Sequence, residues 1–314
     1  MRVALLVTGK TELHGLPDAL RSLFPGHDFY AVAELSTATE RRPYNGFTSS
    51  TLRAEYATSP QDHTCLESAF ELIGRAVQEA LGDRHQPRAD AVVILDDLEL
   101  VNAGQEALVA RVFRAVVEKH LAGLNVRAAA VTAEVLRERV SFHLIVPMIE
   151  AWFFGDPAAL ALAGVPAAST PVLVAGDLET FETNDPGYLA ATAASCPCWT
   201  TRGQRRDQQP KWLGSLPRQW HPKGYLQWLC IDGNARTCTN YDETGGGVGA
   251  LRALSWAALL ANPLAHLRYL RAFLADLAGI LGASTLGPIS EDTSALAPAT
   301  RLSTRPRNNV LRNL

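Results

Sequence analysis

The sequence predicts an α/β protein with a doubly wound, mainly parallel sheet in its first half and a partly helical extension after it. Three observations support this prediction. Short apolar runs alternate with segments of helical spacing through the first 164 residues. The run ADAVVIL (89–95) is apolar apart from Asp90, as in a central parallel strand. Between 250 and 281 leucines recur at helical spacing, which indicates helix in the extension.

The first elements are a strand, a turn and a helix. The apolar run Arg2–Val7 predicts the strand, Thr8-Gly9 closes it, and Glu12–Phe24 has the 3.6-residue apolar spacing of a helix. Asp28–Leu35 predicts a second strand. The polar stretch 36–63 predicts a long extended loop, and loops of this length are often functional.

The pattern continues with a helix over 66–81, followed by the apolar strand 89–95 and then by acidic residues. We expect a helix at 106–120 and further strands at 126–131 and 142–146. This order of strands and helices is typical of a doubly wound sheet.

The second half is less regular. The segment 147–164 predicts two helical pieces, because Asp156 is suited to cap a helix that Pro157 begins. Prolines and polar residues without periodicity follow, so we expect a boundary near Gly164. The predicted division is an α/β core with the acidic site at 1–164, a mixed extension that becomes helical at 165–283, and a mobile tail at 284–314.

Composition limits the class of protein. A net charge of -3 and a pI near 6.2 exclude a globally basic nucleic-acid binder. No apolar stretch reaches the roughly 20 residues of a membrane-spanning helix, and no charged-then-apolar leader is present. We therefore expect a cytoplasmic protein that does not contact a membrane, with reduced thiols at its five cysteines. These are Cys65, Cys196, Cys198, Cys230 and Cys238.

Acidic residues follow two of the predicted strands. Ligands of open α/β sheets bind beyond the carboxyl ends of the strands, and there the chain places Glu12 and the group Asp96, Asp97 and Glu99. Carboxylate oxygens suit magnesium, which predicts a metal site for phosphoryl chemistry. Two alternatives remain open: Glu12 as a first-turn acid favoured by the helix dipole, and Asp96-Asp97 as a plain turn.

Lys10 lies where a helix begins, in the run Gly9-Lys10-Thr11. A P-loop would need a glycine at position 4, where Ala4 stands, so this motif is excluded. Lys10 could still bind phosphate near the helix N-terminus, or it could be a solvated lysine.

Two segments resemble Toprim-type proteins. VTGKTE (7–12) resembles the Glu-Gly-x-Thr-Glu motif of the overcoming-lysogenization-defect (OLD) nucleases, and ILDDLE (94–99) resembles their Asp-x-Asp strand end. The resemblance implies a Toprim-like fold in which the acidic residues bind Mg²⁺ or Mn²⁺ or orient water. Thr8 departs from the pattern, because the motif has a glutamate there. The residues implied as ligands are Glu12, Asp96, Asp97 and Glu99.

Three further segments resemble a bacterial Toprim-like domain family of unknown function. They are PMIEAWFFGDP (147–157), HPKGYLQWL (221–229) and YDETGGGVGAL (241–251). The likeness to families encoded beside ABC-type ATPases implies an ATPase partner and a role in anti-phage defence.

Glu150 lies in an otherwise apolar helical stretch. A buried carboxylate needs a metal, a basic partner or solvent, so we expect Glu150 to join the catalytic acids; alternatively it lies at a solvated edge. Downstream, basic and aromatic residues are interleaved, which suits phosphate contact and base stacking but is also compatible with core packing. The residues predicted to bind phosphate or nucleic acid there are His221, Lys223, Tyr241, Glu243, Gly246 and Gly247.

A zinc site is not expected, because Cys196-Pro197-Cys198 departs from the usual CxxC spacing and buried thiols explain the cysteines better. The preferred function is a Mg²⁺- or Mn²⁺-dependent nuclease or phosphoesterase acting on DNA in bacterial defence. The alternative is a non-catalytic Toprim-like subunit that binds an ABC-type ATPase or nucleic acid.

Overall fold

The chain forms two compact units in a computed structural model that describes residues 1–35, 41–84, 87–174, 176–192, 213–214, 217–231, 241–261, 266–283 and 309–314. Unit 1 consists of Met1–Val146 with Arg268–Leu314, and unit 2 consists of Pro147–Leu267. The boundary predicted near Gly164 falls inside unit 2, and the predicted extension 165–283 contributes to both units.

A four-stranded parallel sheet organises unit 1. The strands in the described residues are β1 (Arg2–Val7), β2 (Asp28–Val32), β3 (Glu34–Leu35), β4 (Arg41–Arg42), β5 (Ala91–Asp97) and β6 (Val140–Ile145). The sheet has the order β2-β1-β5-β6, and every neighbouring pair in it is parallel. β3 and β4 form a separate antiparallel pair. The predicted α/β class with a mainly parallel sheet is therefore confirmed.

Helices connect these strands and build unit 2. Those in the described part of the chain are α1 (Lys10–Leu23), α2 (Glu67–Leu81), α3 (Glu106–Ala122), α4 (Val126–Arg139), α5 (Glu150–Phe153), α6 (Pro157–Leu162), α7 (Pro186–Ala190), α8 (Pro222–Leu229), α9 (Val248–Ala253), α10 (Trp256–Ala261) and α11 (Arg268–Leu281). Among the residues described, no helix is both long and apolar enough to cross a membrane.

One face of the sheet buries alternate strand residues, among them Leu6, Ile94 and Phe142, against helices α2, α3 and α4. Phe113 of α3 stacks on Phe142 with ring centroids 4.2 Å apart. The same alternation points Leu5 of β1 to the opposite face. The central strands thus have both faces buried, which explains their continuous apolar runs.

The predicted strand at 126–131 is wrong, because these residues begin helix α4. Asn125 caps this helix: its side-chain oxygen accepts a hydrogen bond of 3.0 Å from the amide of Ala128. Val126 is 89% exposed, so no buried strand face exists here. Alanine-rich sequence after an asparagine cap favours helix, and this signal outweighs the two valines.

The two helical pieces predicted in 147–164 are confirmed as α5 and α6. Asp156 caps α6 as expected, accepting a 2.9 Å hydrogen bond from Ala158, and Pro157 is its first residue. The second carboxylate oxygen of Asp156 accepts a 2.8 Å bond from the amide of Ser255. This one side chain therefore joins two segments of unit 2.

The predicted mobile tail spans 284–314, of which 284–308 lie outside the described residues. Residues 309–314 are described and pack within unit 1. Leu311 and Leu314 are fully buried in its hydrophobic core.

Candidate functional site

The carboxyl ends of β1 and β5 lie side by side. Val7 pairs with Leu95 in parallel register, which confirms the expectation that these two strand ends share one sheet edge. In the sheet, β2 lies on one side of β1, and β5 and then β6 lie on its other side. This reversal of strand order is the position at which open α/β sheets bind ligands. Thr8, which follows β1, and Asp96, near the end of β5, lie at this position.

Asp96 is the most perturbed acid of this edge. It is 1% exposed, and burial raises its pKa to about 7, while hydrogen bonds from Thr8 and Thr48 act in the opposite direction and the charge of Glu99 adds to the rise. Its Oδ1 atom is buried and accepts no hydrogen bond from the described part of the chain. Buried polar atoms of native proteins are usually hydrogen-bonded, so this oxygen is a candidate position for a ligand.

The loop after β4 closes over Asp96. The amide of Thr48 lies 3.4 Å from Oδ2 of Asp96, and the Thr48 hydroxyl donates to the carbonyl of Asp97. A Cβ atom at Gly46 would lie 2.7 Å from Asp96 Oδ1, so only glycine fits there without displacement.

Asn102 fixes this loop. Its side chain is fully buried, donates to the carbonyls of Thr48 and Ser50, and accepts a 2.8 Å bond from the amide of Leu52. Sequence reasoning missed Gly46, Thr48 and Asn102. The available signal was the length of the polar loop, which predicted function without naming residues.

Glu12 occupies the third position of α1 and is 2% exposed. Its carboxylate folds back over Gly9, where an added Cβ would overlap it. A glutamate at this position commonly reaches back to the N-cap backbone, which is the first-turn role that the sequence also allowed. Lys10, the first residue of the helix, is exposed.

Asp97 and Glu99 complete the predicted group. Asp97 ends β5 and is half-buried, and Glu99 is close enough to Asp96 to raise its pKa. Across the described ranges, however, no three His, Cys, Asp or Glu side chains are grouped so that they could hold a metal ion. The described part of the protein therefore provides individual carboxylates around Asp96 and not a complete set of side-chain ligands for a metal ion.

The donor set still fits magnesium or manganese. Magnesium is commonly held by one or two carboxylates, with water and substrate phosphate as its other ligands. Asp96, with its orphaned Oδ1, would be one ligand, and Glu12, Asp97 or Glu99 would supply the second. The unpartnered oxygen is the observation on which this fit depends.

Unit 2 contains a second polar cluster. Each of the segments 147–157, 221–229 and 241–251 contributes at least one residue to it. Glu150 is 3% exposed, and its Oε1 accepts a 2.7 Å hydrogen bond from the Tyr241 hydroxyl. Lys223 Nζ lies 3.8 Å from the same oxygen and also pairs with Glu243. Glu150 therefore has the basic partner that a buried carboxylate needs.

The remaining residues predicted to bind phosphate have partners within unit 2. His221 Nδ1 accepts a 3.0 Å bond from Gly224, and burial, together with the charge of Lys223, lowers the pKa of His221 to about 4. The amide of Gly247 donates to the carbonyl of Asp242, and a Cβ at Gly246 would lie 2.9 Å from the carbonyl oxygen of Ala163. The two carboxylates beside Lys223 also make this cluster a weak attractor for phosphate.

The structure describes only two of the five cysteines, Cys65 and Cys230. Cys230 is buried, and desolvation raises the pKa of its thiol to about 12, as expected for an unreactive thiol. Cys65 is a free thiol of intermediate exposure. Cys196, Cys198 and Cys238 lie outside the described residues, as do all of the basic and aromatic residues between 199 and 212.

None of the protein-family models, curated proteins or solved structures that were compared with the chain matches it.

Proposed function

We propose that the carboxyl edge of the sheet is a Toprim-like site for Mg²⁺- or Mn²⁺-dependent hydrolysis of phosphodiesters in nucleic acid, with DNA as the expected substrate. The observation that carries the proposal is Asp96, a buried aspartate with an orphaned oxygen at the point where strand order reverses. The resemblance of 7–12 and 94–99 to OLD-type nucleases supports the same reaction.

Burial makes Asp96 suited to a cation. Desolvation disfavours its charged form, and a nearby positive ion would offset that cost and return its pKa to a low value. The ion would supply Lewis-acid stabilisation of the phosphate. Thr8 and Thr48 would hold the carboxylate in place, and the loop fixed by Asn102 would exclude water from its buried side.

The substrate would approach from the N-terminus of α1. Gly9 provides no side-chain cap there, so the positive end of the helix dipole would attract an anion, and the exposed Lys10 adds a charge. Glu12 folds back toward this end of the helix and would limit how closely a phosphate could approach. Lys10 is accordingly proposed as a phosphate contact and Glu12 as a metal or water ligand.

The second candidate is a non-catalytic subunit that binds an ABC-type ATPase or nucleic acid in cytoplasmic anti-phage defence. Two observations favour it. Thr8, a hydrogen-bonding neighbour of Asp96, occupies the position where the OLD motif has a glutamate. Within the residues that the structure describes, no third metal-binding side chain joins a pair of acids.

Cleavage assays separate the two candidates. Purified protein with Mn²⁺ is expected to cut supercoiled plasmid or linear DNA, and Asp96→Asn and Glu12→Gln are expected to lose this activity. Asp28→Asn is the matched control, because Asp28 is exposed at the amino end of β2, the opposite edge of the sheet.

The outcomes are distinct. Equal cutting by wild type and both site variants would contradict the proposed reaction and point to another site. Absence of cutting by wild-type protein, combined with Mn²⁺ binding that Asp96→Asn removes, would support the binding subunit instead. A wild type that neither cuts nor binds Mn²⁺ would overturn the metal site.

A further inference from the structure

Strand β6 is an edge strand of the parallel sheet, and residues 309–314 cover it. The amide of Arg312 donates a 2.7 Å hydrogen bond to the carbonyl of Val140. The side chain of Asn313 brackets Phe142, accepting a 3.0 Å bond from its amide and donating a 2.7 Å bond to its carbonyl. A primary amide used in this way satisfies an edge strand as another strand would.

Arg312 adds a charged anchor beside these bonds. Its guanidinium donates to the Asp276 carboxylate at 2.6 Å and to Ser141 Oγ at 3.1 Å. Asp276, on α11, also contacts His143 Nε2 at 2.9 Å. Burial raises the pKa of Asp276, but His143 and Arg312 outweigh that effect and hold it below its usual value, so the carboxylate is charged and paired.

Two leucines anchor the segment in the core. Leu311 and Leu314 are both fully buried and belong to the same hydrophobic cluster as Val140 and Phe142. The segment also closes on itself, since the amides of Val310 and Leu311 both donate to the carbonyl of Leu314. Six consecutive residues thus provide one backbone hydrogen bond to the edge strand, a side-chain amide that pairs with its backbone, a charged contact and apolar anchors. Main-chain hydrogen bonds and side-chain pockets are what sheet edges use to recognise peptides.

We propose that β6 and α11 form a peptide-binding groove specific for the sequence Asn-Val-Leu-Arg-Asn-Leu, and that residues 309–314 are a ligand that can be supplied in trans. Arg312 and Asn313 provide specificity, and Leu311 and Leu314 provide most of the apolar burial. This inference is independent of the metal site, which lies at other residues of unit 1.

The test uses the full chain with a protease site introduced between 284 and 308. After the folded protein is cut, its groove is offered a fluorescent peptide with the sequence of 309–314, and exchange is followed by anisotropy. The labelled peptide is expected to bind and to be displaced by unlabelled peptide. A peptide carrying Asn313→Ala or Arg312→Ala is expected to bind at least tenfold more weakly, and the uncut protein at least tenfold more weakly than the cut one.

Two results would overturn the proposal. One is a cut protein that keeps its circular dichroism and binds no peptide. The other is equal binding of the wild-type and Asn313→Ala peptides, since the hydrogen bonds between the Asn313 side chain and the Phe142 backbone would then contribute nothing to peptide affinity. If cutting unfolds the protein, excess wild-type peptide is expected to restore its thermal transition whereas the Asn313→Ala peptide does not, and failure of that restoration counts against the groove.

Discussion

Gly46 lies against Asp96 so closely that a methyl group at position 46 would lie 2.7 Å from the carboxylate Oδ1. That oxygen is buried and accepts no hydrogen bond from the described residues. The loop therefore leaves no space for a side chain at position 46.

Gly46→Ala is therefore expected to lower the free energy of unfolding by about 1–3 kcal/mol, because an added methyl in a packed site forces neighbours to shift. Gly74→Ala is the matched control: Gly74 lies in α2 with nothing within 4 Å of its added Cβ, and alanine favours helix by up to about 1 kcal/mol. Urea unfolding of both variants checks the prediction. Equal effects at the two positions would contradict it.

Asp96 should make stability depend on pH. Its folded pKa of about 7 lies above the unfolded value of 3.8, so its contribution is fully present below pH 4 and is lost as pH rises through 7. Asparagine does not titrate, so the Asp96→Asn variant lacks this pH dependence. In the absence of metal, the free energy of unfolding of the variant relative to wild type should therefore rise by about 3 kcal/mol between pH 5 and pH 8, at about 1.4 kcal/mol per pKa unit. Thermal unfolding at the two pH values measures this. A difference that stays constant with pH would show that Asp96 is not perturbed.

Thr8→Glu should place a second carboxylate beside Asp96, because the Thr8 side chain already bonds to that group. Without metal, the added charge is expected to raise the pKa of Asp96 further and to lower stability. With Mn²⁺, the pair should tighten binding at least tenfold, measured by calorimetry. Thr8→Gln is the matched control without charge, and equal Mn²⁺ affinities in the two variants would contradict a site at this position.

The hydrogen bond from the Tyr241 hydroxyl to the buried side chain of Glu150 should contribute to stability. Tyr241→Phe is expected to lower the free energy of unfolding by about 1.5–3 kcal/mol, the usual range for a buried hydrogen bond to a charged group. In a Glu150→Gln background the same change should cost clearly less, and chemical denaturation of the four proteins gives the coupling energy. Additive effects would mean that the two residues act separately.

Much of the sheet was predictable from sequence because β1 and β5 are short, continuous apolar runs bounded by turns and acids. Their parallel pairing also placed Asp96 correctly at the carboxyl edge. The α4 helix was not predicted, because three alanines between valines have no periodicity of their own and the decisive signal is a single cap, Asn125.

The environment of the candidate site was less accessible to sequence reasoning. Gly46 and Asp96 are 50 positions apart, and nothing in a polar loop indicates which residue will face a distant strand end. Glu150 was predicted to need a metal, a basic partner or solvent and was expected to join the catalytic acids. The sequence did not indicate that Lys223 and Tyr241 approach it from separate segments. Such contacts depend on tertiary packing, which local periodicity does not encode.

Unit 1 is assembled from two separate stretches of chain, and this has a consequence for its biosynthesis. Ribosomes extend a chain by about 5–20 residues per second, so α11 follows β6 by about 6–24 seconds and residues 309–314 follow it by about 8–33 seconds. Throughout this interval nascent β6 lacks α11 and residues 309–314, and the uncovered edge of a strand pairs readily with other chains. The rate of translation, as well as the stability of the finished fold, therefore determines how long each nascent chain is open to aggregation.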